Sequence, residues 1–210
     1  MKKAYSYYKS EDLAFLGLSV IGGHLFGPIV PQNPSPWLLE TFALNREIPL
    51  NSEKAKSELL ITPVLVELRK QNPKKFTFFS GYQFDVDTSR GLKGFCDYLI
   101  STRYNAAFLV NPIVAVVEAK QNQDLFDASP QCIAEMYAAK LFNEQAGDLQ
   151  PYIYGAVTNG YEWLFLKLEN DTVVIDKERY GLKNLPELLG VWQLIIDSFS
   201  DLVGGVPRTT

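Results

Sequence analysis

The sequence predicts an α/β fold, a mixed β-sheet of about four to six strands flanked by α-helices. Three observations carry the prediction. Hydrophobic periodicity switches from helical to alternating near residue 75. One run, PIVAVVEAK at 112–120, is apolar on both faces and reads as a central strand. Helical patterns stand before, between and after the strands.

The elements follow in order. Ser10, with Glu11 and Asp12 behind it, reads as a helix cap with acids in the first turn, and Gly22-Gly23 as that helix's stop. Four prolines in residues 28–36 predict an extended connector, and a short helix follows at Pro36–Leu44. In residues 52–70, Ala55, Leu59, Thr62 and Val66 share one helical face, which Leu60, Val64 and Leu68 widen. Pro63 should kink or divide that helix. Glu53 and Glu67 read as solvated positions on it.

Phe76, Phe78, Tyr82, Phe84 and Val86 alternate with mostly polar residues, as a half-buried strand does. TSRGLKG is a turn, GFCDYLIS (94–101) a second strand and 112–120 the third. Ser129-Pro130 opens a helix running to about Glu144, with Ser as cap and Pro at the first helical position. PYIYGAVTN (151–159) and YEWLFLKL (161–168) are strands joined at Thr158-Asn159-Gly160, and TVVID adds another. Residues 184–203 form a terminal amphipathic helix. The chain divides into an N-terminal helical and Pro-rich extension (1–50) and a main unit (51–204), together one compact domain.

Composition excludes several classes. The chain has 210 residues, two Cys and one His. That argues against a disulfide scaffold, a four-Cys zinc site and any mechanism needing two imidazoles. Cys96 and Cys132 read as small buried hydrophobes in a reducing, cytoplasmic compartment. A net charge of −4 is not the footprint of a protein that coats nucleic acid non-specifically, so any such contact needs a local basic patch. Arg90, Lys93, Arg103 and Lys140 are the candidates for it. The charge-free stretch 13–39 approaches bilayer length, but its glycines and prolines favour a buried helix over a membrane span.

The chemistry concentrates at the end of the third strand. Glu118 and Lys120 are two apart, so they share a face, about 7 Å apart along the strand. Charges ending a buried apolar strand need partners, such as each other, a metal or a phosphate. Asp97 is a second acid in an apolar strand. If the two strands pair, Asp97 and Glu118 converge on one divalent cation, and their hard oxygens suit Mg²⁺ or Mn²⁺. Lys120 would orient a water or neutralise charge on phosphate. Glu58 lies on the inner side of the first long helix. Gln131 opens the helix after Lys120, where the helix dipole favours an anion.

Asp97…Glu118-Ala119-Lys120 resembles the motif of the PD-(D/E)XK nucleases, the restriction endonuclease-like superfamily. SELLITPVLVEL, GFCDYLI, VVEAK and VTNGYEWLFLKL resemble the N-terminal nuclease domain of type I restriction enzyme motor subunits, over roughly residues 52–168. The residue before Asp97 is Cys96, where that motif has Pro. The resemblance implies a restriction endonuclease-like core and Mg²⁺- or Mn²⁺-dependent hydrolysis of DNA phosphodiesters. It implies that Asp97, Glu118 and the Ala119 carbonyl are metal ligands, that Lys120 is catalytic, and that Glu58 and Gln131 assist. It also implies possible partners: a second copy of the chain, or a separate motor or specificity subunit. The alternative expectation is a non-catalytic module that keeps the fold and binds nucleic acid or protein.

Overall fold

The computed structural model describes residues 4–121 and 124–204, with the backbone alone for 200–204. Seven strands form one mixed sheet in the order β1-β7-β6-β5-β4-β3-β2. They are β1 (Ser19–Gly23), β2 (Thr77–Gln83), β3 (Phe95–Ser101), β4 (Ile113–Ala119), β5 (Tyr152–Thr158), β6 (Glu162–Glu169) and β7 (Thr172–Gly181). The β4–β5 and β1–β7 pairs are parallel, and the other neighbours are antiparallel.

All seven residues of β4 are buried, as a strand with helices over both faces requires. One face carries α5 (Ser129–Gln145), which crosses from β4 to the parallel β5. The other carries α2 (Pro36–Asn45), α4 (Thr62–Gln71) and α6 (Leu185–Gly204). The core under α5 gathers Leu99, Val116, Ile133 and Met136, and the opposite core gathers Leu38, Val64, Trp163 and Trp192.

The expected α/β class and mixed sheet are present, with seven strands where four to six were expected. The extra strand comes from the first segment. Its helix is short, α1 (Ser10–Leu13), and starts one residue earlier than expected: Lys9 is the cap residue, and its N–H donates to the Asp12 carboxylate at 2.7 Å. Gly17, at φ 78°, turns the chain out of the helical path. Residues 19–23 then pair with β7 as an edge strand instead of continuing a helix. Tyr5, Tyr8, Leu13, Leu16 and Leu18 fill the core under α5, and Leu38 fills the other. Residues 5–38 therefore contribute to the sheet and to both cores. No helix among the described residues is long and apolar enough to cross a membrane.

Pro63 acts as its chemistry demands. The helix expected over 52–70 is divided into α3 (Glu53–Lys56), a π-helical turn (Ser57–Ile61) and α4. A π turn absorbs the missing N–H and the ring's clash with the preceding turn. It also rotates the helix face. Leu60, Ile61, Val64, Leu65 and Leu68 are buried, and Val66, expected inside, is 36% exposed. Glu67, expected in solvent, is fully buried. It accepts from the Ser35 N–H, the Ser35 hydroxyl and Gln71, tying the Pro-rich connector to α4. The cap before α5 is Ala128 rather than Ser129, and Pro130 stands in the first turn.

Candidate active site

The cluster sits at the carboxyl ends of the parallel pair β4–β5, where open α/β sheets commonly place ligands. The β3–β4 ladder runs to Tyr98 opposite Val117, and the next positions along are Asp97 and Glu118. The Lys120 N–H donates to the Thr158 carbonyl on β5. Successive amides alternate in direction, so the Ala119 N–H turns toward β3. The Asp97 carboxylate meets it there, with Oδ2 accepting at 2.7 Å.

Glu118 and Lys120 share a face as the alternation requires. Lys120 Nζ donates to Glu118 Oε1 at 2.6 Å and to Gln131 Oε1 at 3.0 Å. Their side chains are 3% and 16% exposed, so this is an interior ion pair. Glu118 Oε2 is buried and accepts from no N–H or hydroxyl, and the carboxyls of Asp97 and Glu135 stand within hydrogen-bonding reach of Glu118.

The electrostatics follow from burial. Burial raises the Glu118 carboxyl well above the ordinary range, Glu135 and Asp97 push it further, and Lys120 opposes them. Burial also raises Asp97, against the Ala119 hydrogen bond and Lys120. Burial of the Lys120 amine is the largest influence and works against its charge, but Glu118, Glu53 and Asp97 together outweigh it and raise the amine above its ordinary value, so it stays an ammonium.

Of the residues singled out in the sequence, Asp97, Glu118, Ala119, Lys120 and Gln131 come together. Glu58 does not join them. It lies on the π turn, its side chain is 61% exposed, and it pairs with Lys54 at 3.8 Å. Glu53, an exposed residue in the first turn of α3 ahead of the π turn, is instead the helix acid whose charge couples to Asp97 and Lys120. Partial desolvation first, and then the charge of Asp97, raise its carboxyl. Lys56, only 7% exposed, stands at the same rim, donating to the Gln121 carbonyl and lying over the Tyr161 ring.

Sequence reasoning missed Glu135. It is fully buried on α5, one turn after Gln131, and accepts from Gln131 Nε2 at 3.1 Å. A signal was available: Glu135 is an acid amid Cys132, Ile133, Ala134, Met136 and Tyr137, four residues from Gln131 and therefore on its face. Cys96 and Cys132 are fully buried, and burial raises both thiols. Three of the basic candidates are engaged locally: Arg90 with Asp87, Arg103 with Asp148, and Lys140 with Glu144 and Asp171.

Among the described residues, no group of three or more His, Cys, Asp or Glu side chains forms a ready-made metal cage. The donor set still suits a hard cation. Asp97 and Glu118 offer oxygens only, and no N–H or hydroxyl claims the buried Glu118 Oε2. No protein-family model matches the chain, and no curated protein matches it either.

Proposed function

We propose that the chain is a metal-dependent nuclease with a restriction endonuclease-like core that hydrolyses phosphodiester bonds of DNA. One observation carries this reading. An aspartate, a glutamate and a lysine meet where two adjacent strands end, and the glutamate keeps a buried oxygen that no N–H or hydroxyl satisfies, with the carboxyls of Asp97 and Glu135 beside it. A solely structural ion pair gains nothing from such an oxygen, whose desolvation costs about 1–3 kcal/mol.

Asp97 and Glu118, with the Ala119 carbonyl, would hold Mg²⁺ or Mn²⁺. The bound ion supplies Lewis-acid polarisation of the phosphoryl group and eases deprotonation of water. The chain's own groups do the rest. Lys120, held as an ammonium, lends positive charge to a non-bridging phosphate oxygen as the phosphorus becomes five-coordinate. Gln131 accepts from Lys120 and limits its swing. The apolar walls of the sheet and α5 keep bulk water from screening these charges. Glu58 has no role in this arrangement.

A second reading is a non-catalytic module of the same fold that binds nucleic acid or protein without cutting. The net charge of −4 and the local pairing of Arg90, Arg103 and Lys140 favour it. The experiment is cleavage of plasmid and single-stranded DNA with Mg²⁺ or Mn²⁺, wild type beside Lys120→Ala. Ion-dependent cutting that the variant loses supports the nuclease. Binding without cutting, indifferent to Lys120→Ala and Asp97→Ala, supports the module.

A further inference from the structure

Lys120 has two acceptors, the carboxylate of Glu118 and the carboxamide of Gln131. A carboxamide is nearly symmetrical in shape but not in chemistry, since one end accepts and the other donates. Turned by half a rotation, Gln131 would point its NH₂ at the lysine ammonium, donor against donor. The neighbour on its other side decides the orientation. Glu135 Oε1 accepts from Gln131 Nε2 at 3.1 Å. It does so whether its own carboxyl carries a proton or not, since a proton on Oε2 leaves Oε1 an acceptor.

Glu135 is an expensive residue to keep. It is fully buried, its second oxygen accepts from no N–H or hydroxyl and meets only the carboxyl of Glu118, and its neighbours in the chain are the apolar Ala134 and Met136. An apolar side chain of similar length would spare that desolvation. We infer that Glu135 is a positioning residue: it locks the Gln131 carboxamide with its oxygen toward Lys120, so that the ammonium keeps a fixed second partner beside Glu118. The inference rests on the nuclease reading for its catalytic consequence, though not for the contact itself.

The test compares Glu135→Met, Glu135→Gln and Gln131→Ala, with the double variant Gln131→Ala/Glu135→Met. Glu135→Met removes the acceptor and the buried acid together, so it folds with a Tm at or above wild type. Its kcat on DNA falls about 10–100-fold with little change in KM, the range seen when an orienting neighbour is lost. Glu135→Gln keeps a carbonyl acceptor and restores most of the rate. Glu135 also bears on Glu118 directly, and the double variant separates the two routes: if the loss runs through Gln131, Glu135→Met has no more than about a twofold effect in the Gln131→Ala background. Wild-type kcat in Glu135→Met overturns the inference, and so does a full loss that persists in the Gln131→Ala background.

A second readout needs no turnover. In ¹⁵N-labelled, metal-free protein the two Gln131 side-chain amide protons are well separated and exchange slowly in wild type and Glu135→Gln. They move toward free-glutamine positions in Glu135→Met. Unchanged resonances in Glu135→Met overturn the contact. If the wild type cuts no substrate, the nuclease reading fails, and these resonances still decide whether Glu135 sets Gln131.

Discussion

Asp97 is expected to do two separable jobs, and replacing it with Asn or with Ala separates them. Both substitutions remove the charge that would hold a cation. Only Ala removes the oxygen that accepts from the Ala119 N–H at 2.7 Å. Ala119 is fully buried and its N–H faces away from β5, so Asp97→Ala leaves a buried donor with no partner. Such a donor costs about 1–3 kcal/mol. For a chain of this size each kcal/mol moves Tm by roughly 2–4 °C, so Asp97→Ala should melt about 4–8 °C below Asp97→Asn at the midpoint of that range. The assay is thermal and urea unfolding in EDTA at neutral pH, beside calorimetric titration with Mg²⁺. Both variants should lose ion binding and DNA cleavage, and only Asp97→Ala should lose the stability. Equal melting of the two variants would show that the carboxylate does not hold the Ala119 amide. Wild-type Mg²⁺ affinity in Asp97→Asn would remove Asp97 from the metal site.

Four further outcomes are expected. Burial raises Glu118 and Asp97 above their ordinary values of 4.5 and 3.8, so the folded protein keeps protons that the unfolded chain has released. Stability in EDTA is therefore full below the ordinary values and falls as pH rises through the raised ones; Glu118→Gln should flatten that fall in a Tm-against-pH series. Lys120→Ala strips Glu118 of its counter-ion, which at alkaline pH should cost about 3–5 kcal/mol, and adding Glu118→Gln should return most of it in urea titrations without restoring cleavage. Glu67→Ala strands the Ser35 N–H and should lower the urea midpoint by an amount equivalent to about 1–3 kcal/mol. A Cβ on Gly190 would lie 2.5 Å from the Val30 carbonyl oxygen, so Gly190→Ala must push α6 off the Pro-rich connector, at about 1–3 kcal/mol by the same measurement.

How much of this could be read from the sequence depends on how far each signal travels. Alternation along a strand is local and strict, so their spacing alone puts Glu118 and Lys120 on one face. The approach of Asp97 needed only that two neighbouring strands pair. Gln131 followed from a Pro-marked helix start. Helix faces were less secure. The π turn at Ser57–Ile61 breaks the regular rotation per residue, and with it the expected positions of Glu58 and Val66. Nothing local distinguishes a solvated Glu67 from one capping Ser35, 32 positions earlier. The first strand was hidden because SVIGG earns its place as β1 from the distant β7 edge and not from its own propensity.

The interweaving of residues 5–38 with both cores has a consequence for how the chain comes apart. The loop 46–49 is exposed and offers a protease an easy bond. Cutting there would not free a dispensable arm. The N-terminal piece would still hold its ladder on β7 through Ser19–Gly23, its tyrosines under α5 and Leu38 against α4. The nicked protein would persist as two complementary fragments, like a key left in its lock. Withdrawing the smaller one would open the β7 edge and uncover Val173 and Ile175, which are 0% and 4% exposed in the intact chain. An uncapped apolar edge of that kind recruits other strands, so the larger fragment alone should aggregate where the pair stays in solution.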